Sequence, residues 1–121
     1  MLRRTFLLTS TLLAPGVVLP MRAAQAHHGW GSYDAEHPLT LTGEVGSIAF
    51  QNPHGILMLK VPDKTWEVVL APPSRMIARG LRNEQIAAGQ RVEVMGYPSK
   101  AHGDELRAEW IKVADTTYQL R

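Results

Sequence analysis

From Leu39 onward most of this chain alternates apolar and polar residues, the period of half-buried β-strands rather than of helices. In the first run Leu39, Leu41 and Val45 share one parity while Ile48 and Phe50 share the other, so the inward phase slips by one near Gly46-Ser47. One extra residue at a glycine predicts a β-bulge, which lets a long first strand curl. Ile56 to Val61 is apolar nearly throughout, Pro62-Asp63-Lys64 reads as a hairpin turn, and Thr65 to Leu70 resumes alternation through Trp66, Val68 and Leu70.

Pro72-Pro73 stops that third strand, and Ser74 offers a hydroxyl to cap a short helix that continues to Gly80. Asn83 is expected to cap a second helical turn ending at Gly89. Strand pattern returns from Gln90 to Tyr97, with Val92 and Val94 inward, and a polar loop, Ser99 to Asp104, leads to the last strand. There Leu106, Ala108 and Trp110 oppose Glu105, Arg107 and Glu109 before the phase slips at Ile111 and Val113. Trp66 and Trp110 are therefore expected in the core, and the Glu-Arg-Glu side as a surface ion-pair ladder. Residues 118–121 add a short edge piece. Three strands, a short helical connection between strands 3 and 4, and two more strands give the order of a mainly β, five-stranded OB-type Greek-key barrel. A sandwich would need further strands that the pattern lacks.

The N-terminus follows another plan. Arg3-Arg4 precedes an apolar run to Leu19 that Thr9, Ser10, Pro15 and Gly16 interrupt, too short to span a bilayer and built like a signal peptide. Arg3-Arg4-Thr5-Phe6-Leu7 is a partial twin-arginine pattern, so both Tat and Sec export fit. Ala24-Gln25-Ala26 is the small-residue cleavage pattern, which makes residues 1–26 the signal and His27 the first mature residue. The expected organisation is an arm over 27–38 and a barrel domain over 39–121, in a periplasmic or secreted protein with no membrane anchor after cleavage.

Cleavage changes the electrostatics. Arg3, Arg4 and Arg22 leave with the signal, turning the whole-chain net charge of +2 into −1. A nucleic-acid partner, which needs a concentrated positive face, is thereby disfavoured. The absence of cysteine excludes disulfides, thiolate metal sites and a lipoprotein anchor.

Candidate chemistry rests on histidines. Asn52-Pro53-His54-Gly55 places an imidazole at a tight reversal between the first two strands, and His102 lies in the loop between the last two. These are the two loops through which OB barrels commonly meet ligands. If His27 begins the mature chain, its α-amino nitrogen and ring Nδ1 form one chelate, and His28 or His54 supplies a further imidazole. A nitrogen set of this kind suits Cu(II), so copper is the expected cofactor, at His27, His28 and His54. The arrangement resembles the histidine brace of copper proteins. Asn52, Arg75 and His102 are candidate ligand-loop or anion contacts, Arg75 standing near Arg79 and Arg82. Trp30 and Tyr33 read as aromatics that pin the arm. No serine has a histidine and an acid placed to activate it, so a hydrolase is not indicated. A binding module comes first, its partner a small ligand or an envelope protein; an envelope structural protein comes next, and a copper-dependent oxidative enzyme last.

Several stretches together carry a resemblance: His27-His28-Gly29-Trp30, Asn52-Pro53-His54-Gly55, Leu70-Ala71-Pro72-Pro73-Ser74-Arg75-Met76, Gly96-Tyr97-Pro98 and Glu105-Leu106-Arg107-Ala108-Glu109. In them the chain resembles a family of small exported bacterial proteins known as a domain of unknown function. The resemblance spans the mature chain and implies no activity and no site residues.

Overall fold

The computed structural model describes Gly16 and residues 29–121. The expected signal peptide and the candidate ligands His27 and His28 lie outside the described residues. The strands are β1 (Leu39–Ala49), β2 (Ile56–Lys60), β3 (Thr65–Val69), β4 (Arg91–Pro98), β5 (Glu105–Val113) and β6 (Thr116–Gln119), with one helix, α1 (Pro73–Ala78), between β3 and β4. Their order is β3-β2-β1-β4-β5-β6, and a parallel pairing of β3 with β5 closes the first five into a barrel. This is the OB barrel that the alternation predicts. The edge piece is a sixth strand, paired antiparallel to β5 after a turn at Ala114 and Asp115, whose φ angles are 45° and 69°.

The first strand does two jobs. Residues 39–44 pair with β4 and residues 44–49 with β2, so the strand must bend near its middle. The β1–β2 register shifts between Val45 and Ser47, which is the expected bulge at Gly46. At Gly43 the bend brings the Lys60 carbonyl so close that a β-carbon would strike it. Inside the barrel Leu57, Leu59, Val68, Val94, Leu106 and Ile111 are fully buried, and Met76 of α1 packs with them at one end. Each is an apolar side chain on the inward parity of its element, and burial contributes about 1.5–3 kcal/mol apiece.

Four local expectations are corrected. Ser74 does not cap α1: Pro72 is the cap residue and the helix begins two positions early, because proline's fixed φ suits the first helical position, which Pro73 takes. Asn83 opens its short 3-10 turn instead of capping it; the Arg82 N–H that precedes the turn donates to Gln85 Oε1 at 2.6 Å. Trp110 is only half-buried on the outer side of β5. The β4–β5 register shifts so that Met95 faces Trp110 and Gly96 faces Ala108, leaving Glu109 as the extra residue and turning the phase one position before the sequence suggests. Arg107 is no rung of a surface ladder, being 6% exposed. Trp66, by contrast, is core at 7%. Among the described residues no helix is long and apolar enough to cross a membrane.

Candidate functional site

Residues 29–34 lie across one end of the barrel. Trp30–Ser32 form a 3-10 turn, Tyr33 bridges to Ser99, the Asp34 N–H donates to the Pro98 carbonyl at 2.8 Å, and the Lys100 N–H donates to the Ser32 carbonyl at 3.0 Å. The arm is thus laced to the β4–β5 loop. On the far side the β1–β2 loop contributes Gln51, Pro53 and His54, with a cis bond between Asn52 and Pro53. Between these walls and the β2–β3 surface lies a cleft of 450 Å³. Pro53, Ile56 and Val69 supply apolar wall, while His54, His102, Glu67 and Glu105 bring the chemistry.

Two of these groups are locked from below. The Tyr33 hydroxyl donates to Glu105 Oε2 at 2.8 Å, and Tyr33 is 3% exposed. Burial, then that hydrogen bond, raises the phenol pKa well above its ordinary value. Arg107 lies under the arm. Its guanidinium is 4.2 Å from the Trp30 ring and 5.8 Å from the Tyr33 ring, and one of its terminal nitrogens is 3.3 Å from His54 Nε2. Arginine has only donors, so His54 Nε2 is the acceptor and the imidazole proton sits on Nδ1. Burial lowers the Arg107 pKa, with Arg75 and Arg121 pushing the same way and Tyr33 opposing. The Trp30 ring also has Arg121 at 4.4 Å and Tyr97 edge-on at 6.0 Å. Trp30 and Tyr33 therefore pin the arm, and two guanidiniums share one indole.

The histidines His54 and His102 meet on this cleft. His102 is exposed, its N–H donating to Ser99 Oγ at 3.1 Å and its carbonyl accepting from the Glu105 N–H at 3.2 Å. Asn52 is exposed in its loop and Arg75 is on α1, and neither lines the cleft. His37 pairs with Asp34 at 2.7 Å outside it. Among the described residues no three His, Asp or Glu side chains gather as a metal site. Sequence reasoning missed Arg107, Tyr33 and Glu105 as a connected group; the signal was an arm with two aromatics that needed a partner.

The tyrosine gives a pH expectation with a definite sign. A phenol whose pKa is raised on folding contributes stability that is complete below the unfolded value of about 10 and is lost as pH climbs past it. Alkaline denaturation of the wild type is expected to set in above about pH 10, whereas Tyr33→Phe should be weaker at neutral pH, by about 1 kcal/mol, with a flatter alkaline limb. Identical alkaline limbs in the two proteins would refute the assignment.

Residues 16–106 match the model of the Family of unknown function (DUF6152), which is three-quarters of the chain. The chain belongs to that family. No curated protein matches it. Among solved structures this DUF6152 member is similar to the S. pombe Stn1-Ten1 complex, with a TM-score of 0.53 and 16% identity over 65% of this chain and 59% of that one. It also aligns with aspartyl tRNA synthetase from Entamoeba histolytica, at a TM-score of 0.45 and 17% identity over 100% of this chain and 30% of that one. The DUF6152 chain thus spans less than two-thirds of either. The first likeness speaks to the fold alone, and the second carries no argument.

Proposed function

We propose that this DUF6152 protein is an exported, non-catalytic binding module whose ligand enters the cleft at the β1–β2 and β4–β5 loops, with Cu(II) as the specific ligand at His54, His27 and His28. Export rests on Arg3-Arg4, the interrupted apolar run and Ala24-Gln25-Ala26. The observation that carries the copper reading is the run of contacts from Trp30 through Arg107 to His54. It fixes the start of the arm against the loop histidine, and His28 precedes Trp30 by only two residues, at most about 7 Å of chain. Amine and imidazole nitrogens favour Cu(II) over the other common divalent ions. The Arg107 contact adds a condition: copper at His54 Nε2 displaces the guanidinium, so ion and arginine compete for one lone pair.

A metal-free envelope module is the second reading, favoured by the apolar wall of Pro53, Ile56 and Val69, which suits a small organic or peptide ligand. A nucleic-acid partner is not proposed, because the mature charge is −1 after signal removal.

A competitive Cu(II) titration read by spin resonance separates the two. It compares protein beginning at His27 with protein carrying one alanine ahead of it, each with and without His54→Ala. The copper reading expects affinity to fall at least about tenfold for each change. Binding that ignores both the extra alanine and the loss of His54 removes copper and leaves the metal-free reading.

A further inference from the structure

Behind Arg107, which reaches His54 at the cleft, the arginines 75, 79 and 121 come together. Arg75 and Arg79 are four residues apart and so share a side of the α1 turn region. Their side chains do not wander independently in water: Arg75 Nη1 donates to the Leu120 carbonyl at 3.5 Å, and Arg79 Nη2 donates to the Arg121 carbonyl at 3.3 Å. Both positive groups are thereby drawn to the residues where Arg121 starts its own side chain. That side chain reaches the Trp30 ring that also receives Arg107. Among the described residues the one side-chain carboxylate within ion-pair distance of Arg75, Arg79 or Arg121 is Glu109, 3.5 Å from Arg121. Arg75, Arg79 and Arg121 are exposed, so each keeps donors open to solvent.

Like charges held side by side raise the energy of the folded state unless a counter-charge joins them. Planar guanidiniums, each with parallel N–H donors, match the oxygen edges of phosphate groups. We infer that Arg75, Arg79 and Arg121 form an oxyanion site beside Trp30, taking a ligand with phosphate-type oxygens. None of the three arginines lines the cleft, and the site needs no copper, although it shares the Trp30 ring with the contacts that lead through Arg107 to His54. The overall charge does not oppose it, because the three arginines concentrate positive charge on one patch of a nearly neutral molecule. Two sources offer the same chemistry: a soluble phosphate compound and the headgroup of an anionic lipid.

The test uses the mature protein, metal-free, with the double variant Arg75→Gln/Arg79→Gln. Pyrophosphate is titrated in moderate salt while the indole N–H resonance of Trp30 is followed, and vesicles of phosphatidylglycerol or of phosphatidylcholine are assayed by flotation. Both substitutions lie on exposed residues, and an unchanged thermal melt confirms that the variant folds. Saturable pyrophosphate binding that moves the Trp30 signal, weakened about tenfold or more in the variant, assigns a soluble anion. Retention on phosphatidylglycerol but not phosphatidylcholine, lost in the variant, assigns the lipid headgroup. The inference is overturned if the variant binds as well as the wild type. It is equally overturned if pyrophosphate shows no saturation up to about 10 mM and the two vesicles retain the protein alike.

Discussion

Replacing Gly96 with alanine is expected to destabilise the protein by about 3 kcal/mol or more, while Gly103→Ala changes stability by less than about 0.5 kcal/mol. At Gly96 strand β4 is paired with Leu39 of β1 on one side and Ala108 of β5 on the other. A β-carbon there would strike the Arg107 carbonyl oxygen, and it would stand 2.7 Å from the Arg107 carbonyl carbon and 2.8 Å from the Ala108 α-carbon. All three atoms are backbone, so no side chain can swing aside; the strands must part where the register already shifts. Around Gly103 nothing lies within 4 Å of such a carbon. Urea denaturation of the two variants beside the wild type makes the comparison. Equal midpoints for Gly96→Ala and the wild type would mean that the strands do not approach this closely.

Arg107→Met is expected to cost about 2–4 kcal/mol and to free the arm from the barrel. Methionine preserves much of the aliphatic volume but removes the bond to His54 Nε2 and the cation facing Trp30 and Tyr33. Arg107→Lys is expected to recover little, since an ammonium keeps the charge but lacks the flat surface that lies against an indole and the fork that reaches a neighbour at the same time. Limited proteolysis gives the local readout: cleavage within residues 29–33 should accelerate in both variants, ahead of global unfolding. If the lysine variant resists protease like the wild type, charge alone secures the arm and the stacking argument fails.

The barrel was readable because its strands keep the two-residue period through their buried stretches, and because turn residues punctuate them. Val92 and Val94, or Trp66 and Val68, announce their inward face without help from the rest of the chain. The bulge at Gly46 was readable for the same reason, as a break in that period. Arg107 was not. Its local pattern, Glu105-Leu106-Arg107-Ala108-Glu109, is that of a strand with one wet face, and only the arm, some 75 residues earlier in the chain, makes that face dry. Burial by a distant segment leaves no trace in a local period. Trp110 misled through the extra residue at Glu109, because a register shift across β4 and β5 belongs to the pair of strands and not to either sequence. For the site, the loop histidines His54 and His102 were legible from their positions between strands. The bond that sets the His54 tautomer was not, since it depends on the same hidden arginine.

The barrel is closed by its shortest seam. Parallel β3 and β5 share three residue pairs, Glu67 to Glu105, Val68 to Leu106 and Val69 to Arg107, against six between β1 and β4. Regions with fewer cross-strand bonds open at lower free-energy cost than the rest of a structure. Of the seams that close the barrel this one has the fewest paired residues, and Glu67, Val69 and Glu105 on it also wall the cleft. A guest that touches both strands acts as a rivet, so occupancy and mechanical closure of the barrel become one event.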